Sequence, residues 1–464
     1  MKLRLLLSVF FAFWAFVSCT TTDNGCNDND DCEFVSSSSG GGGGNSNGGG
    51  GDSSSSGGGG GNSSSGGGGG GNGSWTGWPF DASGENVQGE CDSYEEPVEI
   101  RFNDGNEPDI DNPYSEISVS KNGENVLATI SGTTERHFLL SGTARNGSFK
   151  VRGGDSRVVL SLNGVNITNN SGPAINVQKG KRVTVCLVSG KENSLNGTSA
   201  APQGTEQAKG TFFSEEKLYF TGSGSLEVKA RSSGDPNRND HAIVVDNDFE
   251  IDNGKITISE AEGDGIHANE KIEIKGGVIK IASKGDAIQS EKPGSSVVVS
   301  GGKILAKTTG IKSHGITSEG TITIENEARV QISVLGNGSK GIKSTSWAEI
   351  KGGTVAIQAS GDRDQNDADT STAAGIKVGG DNAVDLFIEG GTITIKSPGS
   401  KAKGINTSGD IDMKDGNVDI EADDDGIKVH GTLKMSGGSI TAVSRKSDAI
   451  DGTIRKTGGT INGN

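Results

Sequence analysis

From Val98 onward, apolar and polar residues alternate with period two in short bursts. Examples are Val98-Glu99-Ile100-Arg101-Phe102, Lys271-Ile272-Glu273-Ile274 and Thr392-Ile393-Thr394-Ile395. Bursts of this kind, rich in β-branched residues, predict short strands with one buried face. They recur with a fixed companion, a Gly or Ala followed by Ile, at Ile243, Ile266, Ile288, Ile316, Ile342, Ile376, Ile405, Ile427 and Ile450. The steps between these anchors run from 22 to 34 residues, and the compact ones are 22 or 23. Between anchors lies a turn marker: Asn253-Gly254, Gly276-Gly277, Gly301-Gly302, Gly352-Gly353, Gly390-Gly391, Asp415-Gly416 and Gly437-Gly438. Gly, Asn and Asp accept left-handed backbone angles at little steric cost, so each rung has a corner at one place. The unit at Asn326-Glu327 departs from this pattern, and its corner is expected to differ.

A repeat of about three short strands and tight corners predicts an all-β fold, a single-stranded right-handed parallel β-helix with rungs of about 22 residues. The apolar burial within one rung falls short of the entropy of ordering it, so stability has to come from stacking. A β-sandwich would not carry a column of identical turn residues, and a calcium roll of nine-residue repeats does not fit the period. The small residue before each anchor predicts a crowded bend. The insertions at 231–239 and 361–372 both precede an anchor and should project from one edge, where they either wall a groove or form mobile loops.

Ahead of the repeat the composition changes twice. Residues 36–74 are all Gly, Ser or Asn except Asp52, a flexible coil with a mean reach of about 35 Å. Before it, Lys2 and Arg4 precede an apolar run from Leu5 to Val17 that is too short for a transmembrane helix. The run reads as a signal peptide over 1–18, and Phe16-Val17-Ser18-Cys19 resembles a lipobox with Cys19 as the lipid attachment site. The expected plan is therefore a leader at 1–18, an acidic Cys-containing segment at 19–35, a linker at 36–74, a lead-in at 75–114 and the β-helix at 115–464. The product is expected to be exported and lipid-anchored at the outer membrane or cell surface. Cys26 and Cys32 predict a small disulfide loop, since the acidic stretch between them lacks the Gly and terminal Glu of an EF-hand. Cys91 and Cys186 are free to pair, which sequence alone does not decide.

The net charge of -17, which falls by two to -19 once Lys2 and Arg4 leave, argues against nucleic acid and anionic lipid as partners. The chain is expected to be a monomer whose only membrane contact is the anchor.

If each anchor Ile points inward from a bend, the residues two before and one after it point outward. Two acidic groups then stand on the face, Asp264 with Asp286, and Asp423, Asp424 and Asp425 with Asp448. Stacked like charges need something between them, and calcium held by oxygen ligands would serve; the plain alternative is a solvated acidic stripe. Between them lie Lys340, Lys343, Lys377 and Lys403, either a site for uronate carboxylates or a balance for the aspartates. His241, His267 and His314 are either transition-metal ligands or surface histidines without function. Aromatic sugar platforms are scarce. Trp347 is the best candidate, while Phe212, Phe213, Tyr219, Phe220 and Phe387 read as packing residues, and Lys343, Lys377 and Trp347 are the expected sugar contacts.

The segment Val158-Val159-Leu160-Ser161-Leu162-Asn163-Gly164-Val165-Asn166-Ile167, then Gly172-Pro173-Ala174-Ile175, then Leu187 to Asn193, followed by the Asp-Gly-Ile rungs, resembles a family of secreted bacterial carbohydrate-binding domains. The resemblance runs from about Ser115 to Asn464. It implies a calcium-containing right-handed parallel β-helix shaped like the pectate lyases, and a polysaccharide ligand. The first expectation is thus a non-catalytic module for plant cell-wall polysaccharide, pectin-like or cellulosic, with calcium as cofactor. The alternatives are a calcium-dependent pectate-type lyase with Lys428 as base, and an adhesin or spacer without a sugar ligand.

Overall fold

The nine anchor isoleucines pair in one unbroken parallel register, Ile243 with Ile266, Ile266 with Ile288, and so on through Ile427 with Ile450. The computed structural model describes Gly89, Cys91 and residues 96–464, less 326, 366–370 and 381. The leader, Cys19, the Cys26 to Cys32 loop and the linker lie outside those residues, as does Asn326 at the divergent corner. The described residues belong to one compact unit.

Each rung contributes one strand to each of three parallel sheets, as in Ile266–Ala268, Lys271–Ile274 and Val278–Ser283. These pair with Ile288–Ser290, Ser296–Val299 and Lys303–Thr308 of the next rung. The result is a parallel β-solenoid of about 13 turns with rungs of about 25 residues. That length exceeds the compact 22 because insertions lengthen several rungs.

The anchors from Ile243 to Ile427 are buried, from 0% exposed at Ile266 to 2% at Ile342, and Ile450 in the last rung is half-buried. The bore is filled by side chains from all three sheets, with Phe212, Phe220 and Phe249 packed edge-on or tilted against one another, and a buried column of Ser290, Ser318 and Ser344 further along. Phe212, Phe213 and Phe220 are fully buried, in keeping with a packing role.

The corner between the second and third sheets is a column of left-handed glycines, with φ from +73° at Gly302 to +105° at Gly254. The residue before the anchor is as crowded as its size suggests. A Cβ on Gly341 would lie 2.3 Å from Ile357 Cγ2 and 2.7 Å from the Gly375 carbonyl oxygen.

Parallel pairing begins at Val98–Asn103, which lies beside Arg136–Ala144, ahead of the Ser115 start expected for the solenoid. That strand also forms an antiparallel hairpin with Asn106–Asp111. A second hairpin, Ile117–Asn122 with Asn125–Ile130, leads into the next parallel pair. Cys91 is disulfide-bonded to Cys186 across 95 residues, with a Cα separation of 5.6 Å, and so fastens the lead-in to the second sheet.

Candidate functional site

The residue after each anchor forms an in-register outward row: Val244, His267, Gln289, Thr317, Lys343, Lys377, Asn406, Lys428 and Asp451. Rung spacing fixes their separation at about 4.8 Å. Toward the N-terminal side the row is covered, and Val244 and Thr317 are only 1% and 2% exposed. From Lys343 onward it is half-buried and open.

The first four residues two before the anchors, His241, Asp264, Asp286 and His314, do not stand free as a second outward row. They fold over the bend and accept the backbone amide of their equivalents one rung on. His241 Nδ1 accepts from Asp264 N–H (2.8 Å), and Asp264 Oδ1 from Asp286 N–H (2.7 Å). Asp286 Oδ1 in turn accepts from His314 N–H (2.5 Å), and His314 Nδ1 from Lys340 N–H (3.1 Å). Short side chains with an acceptor satisfy bend amides that no strand partner reaches. The stacking of Asp264 on Asp286 is therefore held by interleaved amides.

The electrostatics follow from that crowding. For Asp264, burial works against ionisation, but His241 and His267 outweigh it and hold the carboxyl well below its usual range. Burial, and then the Asp264 charge, push Asp286 up to about 7. Burial also keeps His314 well below the usual imidazole value, assisted by Lys343 and Lys340. His267 is opposite in sense. Burial disfavours its charge, yet Asp264 on Nδ1 (2.9 Å) and Glu291 on Nε2 (3.2 Å) raise it.

A groove of about 320 Å³ opens over the N-terminal part of this face, with Val244, His241 and His267 on its floor. One wall carries Asn237, Arg238 and Asn239 from the 231–239 insertion, so this loop does line a groove. The other wall, around Ser199 and Lys209, has no counterpart among the sequence expectations because it precedes the first anchor. Both are clamped by buried Asp240. Its Oδ1 accepts from the Thr198 hydroxyl (2.8 Å), the Ser199 hydroxyl (2.5 Å) and the Ser199 amide (2.9 Å), and its Oδ2 accepts from Ser233 N–H (2.6 Å).

In the middle of the face, Lys377 is half-buried with Asn406 Oδ1 at 3.4 Å, and burial lowers its pKa. Lys343 stands 3.7 Å from Glu319. Trp347 follows the same anchor strand, Lys340–Ser344; it is 39% exposed and lies edge-on to Phe387, at 6.5 Å between ring centroids.

At the far end the structure regroups the expected acidic set. Asp425, Asp448 and Asp451 converge, each offering an oxygen within 4.8 Å of the others. Asp423 and Asp424 turn elsewhere, Asp423 to Lys446 (3.0 Å) and the Lys401 amide (3.0 Å), and Asp424 to Lys403 (2.7 Å). Asp425 is held by Lys403 (2.5 Å) and by the Ser447 hydroxyl (2.6 Å), and Asp451 is ion-paired with Lys428. Three oxygen donors from two rungs suit calcium in kind, though two already hold ammonium groups. Asp264 and Asp286 suit it less, since amides and imidazoles occupy their carboxylates. Lys428, the candidate base, is committed to Asp451.

A family model described as a carbohydrate-binding domain-containing protein matches residues 122–400. A curated relative of the same description from Acetivibrio thermocellus is 30% identical over 126 residues, covering 26% of this chain and 41% of the relative. The aligned part thus spans less than half of that relative's length. Among solved structures, the polysaccharide lyase-like protein from C. thermocellum, determined as a gadolinium derivative, is 28% identical with a TM-score of 0.46. That match covers 55% of this chain and 97% of the other.

Proposed function

The chain belongs to the family of carbohydrate-binding domain-containing proteins, and from that membership we propose that it is a non-catalytic module holding an extended acidic polysaccharide of the plant cell wall. The observation that carries this reading is the in-register row beside the anchors. Its rung spacing is close to the length of one sugar in an extended chain, and Lys343, Lys377 and Asn406 stand at successive rungs. Half-buried Lys377, with an amide rather than a carboxylate as its neighbour, suits an incoming uronate. Trp347, packed edge-on to Phe387 at the turn after Lys340–Ser344, offers the one large exposed ring near this stretch among the described residues.

Calcium enters this proposal at Asp425, Asp448 and Asp451. Uronate carboxylates exchanging with Lys403 and Lys428 would leave those oxygens to a bridging ion. The leader and Cys19 support display of the module as a surface lipoprotein, with the Gly-rich segment as tether. A lyase needs a basic group free to take the C5 proton; Lys428, paired with Asp451, favours binding over elimination.

The test is retention of the full chain on polygalacturonate, xylan and cellulose, in calcium and then in chelator, with an assay for unsaturated uronate alongside. Retention on polygalacturonate that falls on chelation, without product, is the expected outcome. Product that disappears in Lys428→Ala would establish the lyase instead. Failure to be retained by any of the three in calcium would leave the spacer.

A further inference from the structure

The groove floor holds a donor set that the polysaccharide reading does not use. Asp264 Oδ2 lies 2.9 Å from His267 Nδ1 and 3.1 Å from His241 Nδ1. One ligand atom from each of the three residues lies within 4.8 Å of the others. The two imidazoles face one another at 4.8 Å between centroids with a 33° tilt. All three residues are buried, and the histidines sit on adjacent rungs locked by the Ile243 and Ile266 pairing. Glu291, one rung further, reaches His267 Nε2 at 3.2 Å and lines the same groove.

One contact in this set is frustrated. His241 Nδ1 lies 2.8 Å from the Asp264 amide nitrogen and 3.1 Å from Asp264 Oδ2, so without a proton it serves the amide and opposes the carboxylate, and with one it serves the carboxylate and opposes the amide. A cation between Nδ1 and Oδ2 would be attracted to both atoms.

We propose that His241, Asp264 and His267 bind one divalent transition-metal ion of the zinc type, with Glu291 on His267 Nε2 orienting that ring from behind and the groove giving access to an open position. Two imidazoles and a carboxylate are the donor mix that suits zinc, cobalt, nickel or copper, whereas calcium takes six to eight oxygens. Binding releases the His267 Nδ1 proton to solvent, leaving Nε2–H on Glu291, and draws the His241 lone pair from the Asp264 amide, so two hydrogen bonds are lost against two metal to nitrogen bonds and one metal to oxygen bond. The assignment stands apart from the polysaccharide reading and survives its failure.

The full chain, purified without a histidine tag and stripped with chelator, is titrated with Zn²⁺ by calorimetry and with Co²⁺ by visible absorption. The wild type is expected to bind both, with d–d bands of a low-coordinate nitrogen and oxygen site. Affinity should fall by at least about tenfold in His241→Gln and in His267→Gln, while exposed His430→Gln retains it. Circular dichroism and the unfolding temperature of the metal-free variants show whether each is folded. A variant that is not is replaced by Asp264→Asn, which keeps an oxygen for the Asp286 amide and is expected to lose the ion. Zinc affinity unchanged in these variants, no binding by the wild type, or displacement of zinc by excess calcium would each overturn the assignment.

Discussion

Asp286 shows how far the stack bends the chemistry of a single residue. Burial, and then the Asp264 charge one rung away, raise its pKa to about 7. Between the ordinary carboxyl value and that figure, the folded chain binds a proton that the unfolded chain has released, so stability falls as pH rises through the window and the penalty persists above it. Asp286→Asn keeps an oxygen for the His314 amide and removes the charge. It is expected to stabilise the protein by about 1–2 kcal/mol at pH 8 and by little at pH 4, read from denaturant unfolding at both. Lys377 has the opposite sense. Burial lowers its pKa, so its charge opposes folding below that value and the opposition lifts as pH rises into the alkaline range. Lys377→Met should fold at least as well as the wild type, yet hold polygalacturonate about tenfold less tightly, roughly 1.4 kcal/mol, with xylan unaffected. Equal retention by the two proteins would remove Lys377 from the site.

At the scale of the rung, the corners carry the fold. Gly302 has φ +73°, and an added Cβ would sit 2.7 Å from the Gly276 carbonyl carbon; Gly294 has φ +81° and open space. Gly302→Ala should therefore cost about 1–3 kcal/mol more than Gly294→Ala, measured by chemical denaturation, because only the first meets a packed backbone. These corners were legible in the sequence, since a turn glycine at a constant offset from an inward Ile is what a tight corner repeated rung after rung requires. So was the 231–239 wall, which interrupts the period just before an anchor. The use of His241, Asp264 and Asp286 as acceptors for the next rung's amides was not legible. Period and spacing place a side chain on a face, but do not show that it curls back over the bend. The same limit explains why Asp451 takes the place expected for Asp423 and Asp424: three consecutive aspartates leave a bend in three directions, and only their neighbours decide which oxygens meet. The clamp at Asp240, adjacent to His241, was hidden because the wall it ties to the insertion, at Thr198 and Ser199, lies about 40 residues upstream, outside the anchored repeat.

Over the whole molecule, stacking makes each rung depend on its neighbours, and the lead-in is tied to that stack by Cys91 and Cys186. Closing a loop of this length is worth about 4.7 kcal/mol in chain entropy, so reduction, or Cys91→Ser, should lower the unfolding temperature clearly without changing the strand signature in circular dichroism. The sheet order and family membership were legible from the repeat and from the quoted motifs, because a solenoid writes its architecture in one dimension. The ligand is not written that way, since a row of side chains at rung spacing presents the same pattern whether it binds a chain or solvent. Amide hydrogen exchange with and without polygalacturonate addresses that difference directly. Binding along the anchor face predicts added protection concentrated in Lys340–Ser344, Ala374–Val378 and Lys403–Thr407. Protection confined to the second or third sheet, or absent at saturating ligand, would contradict it.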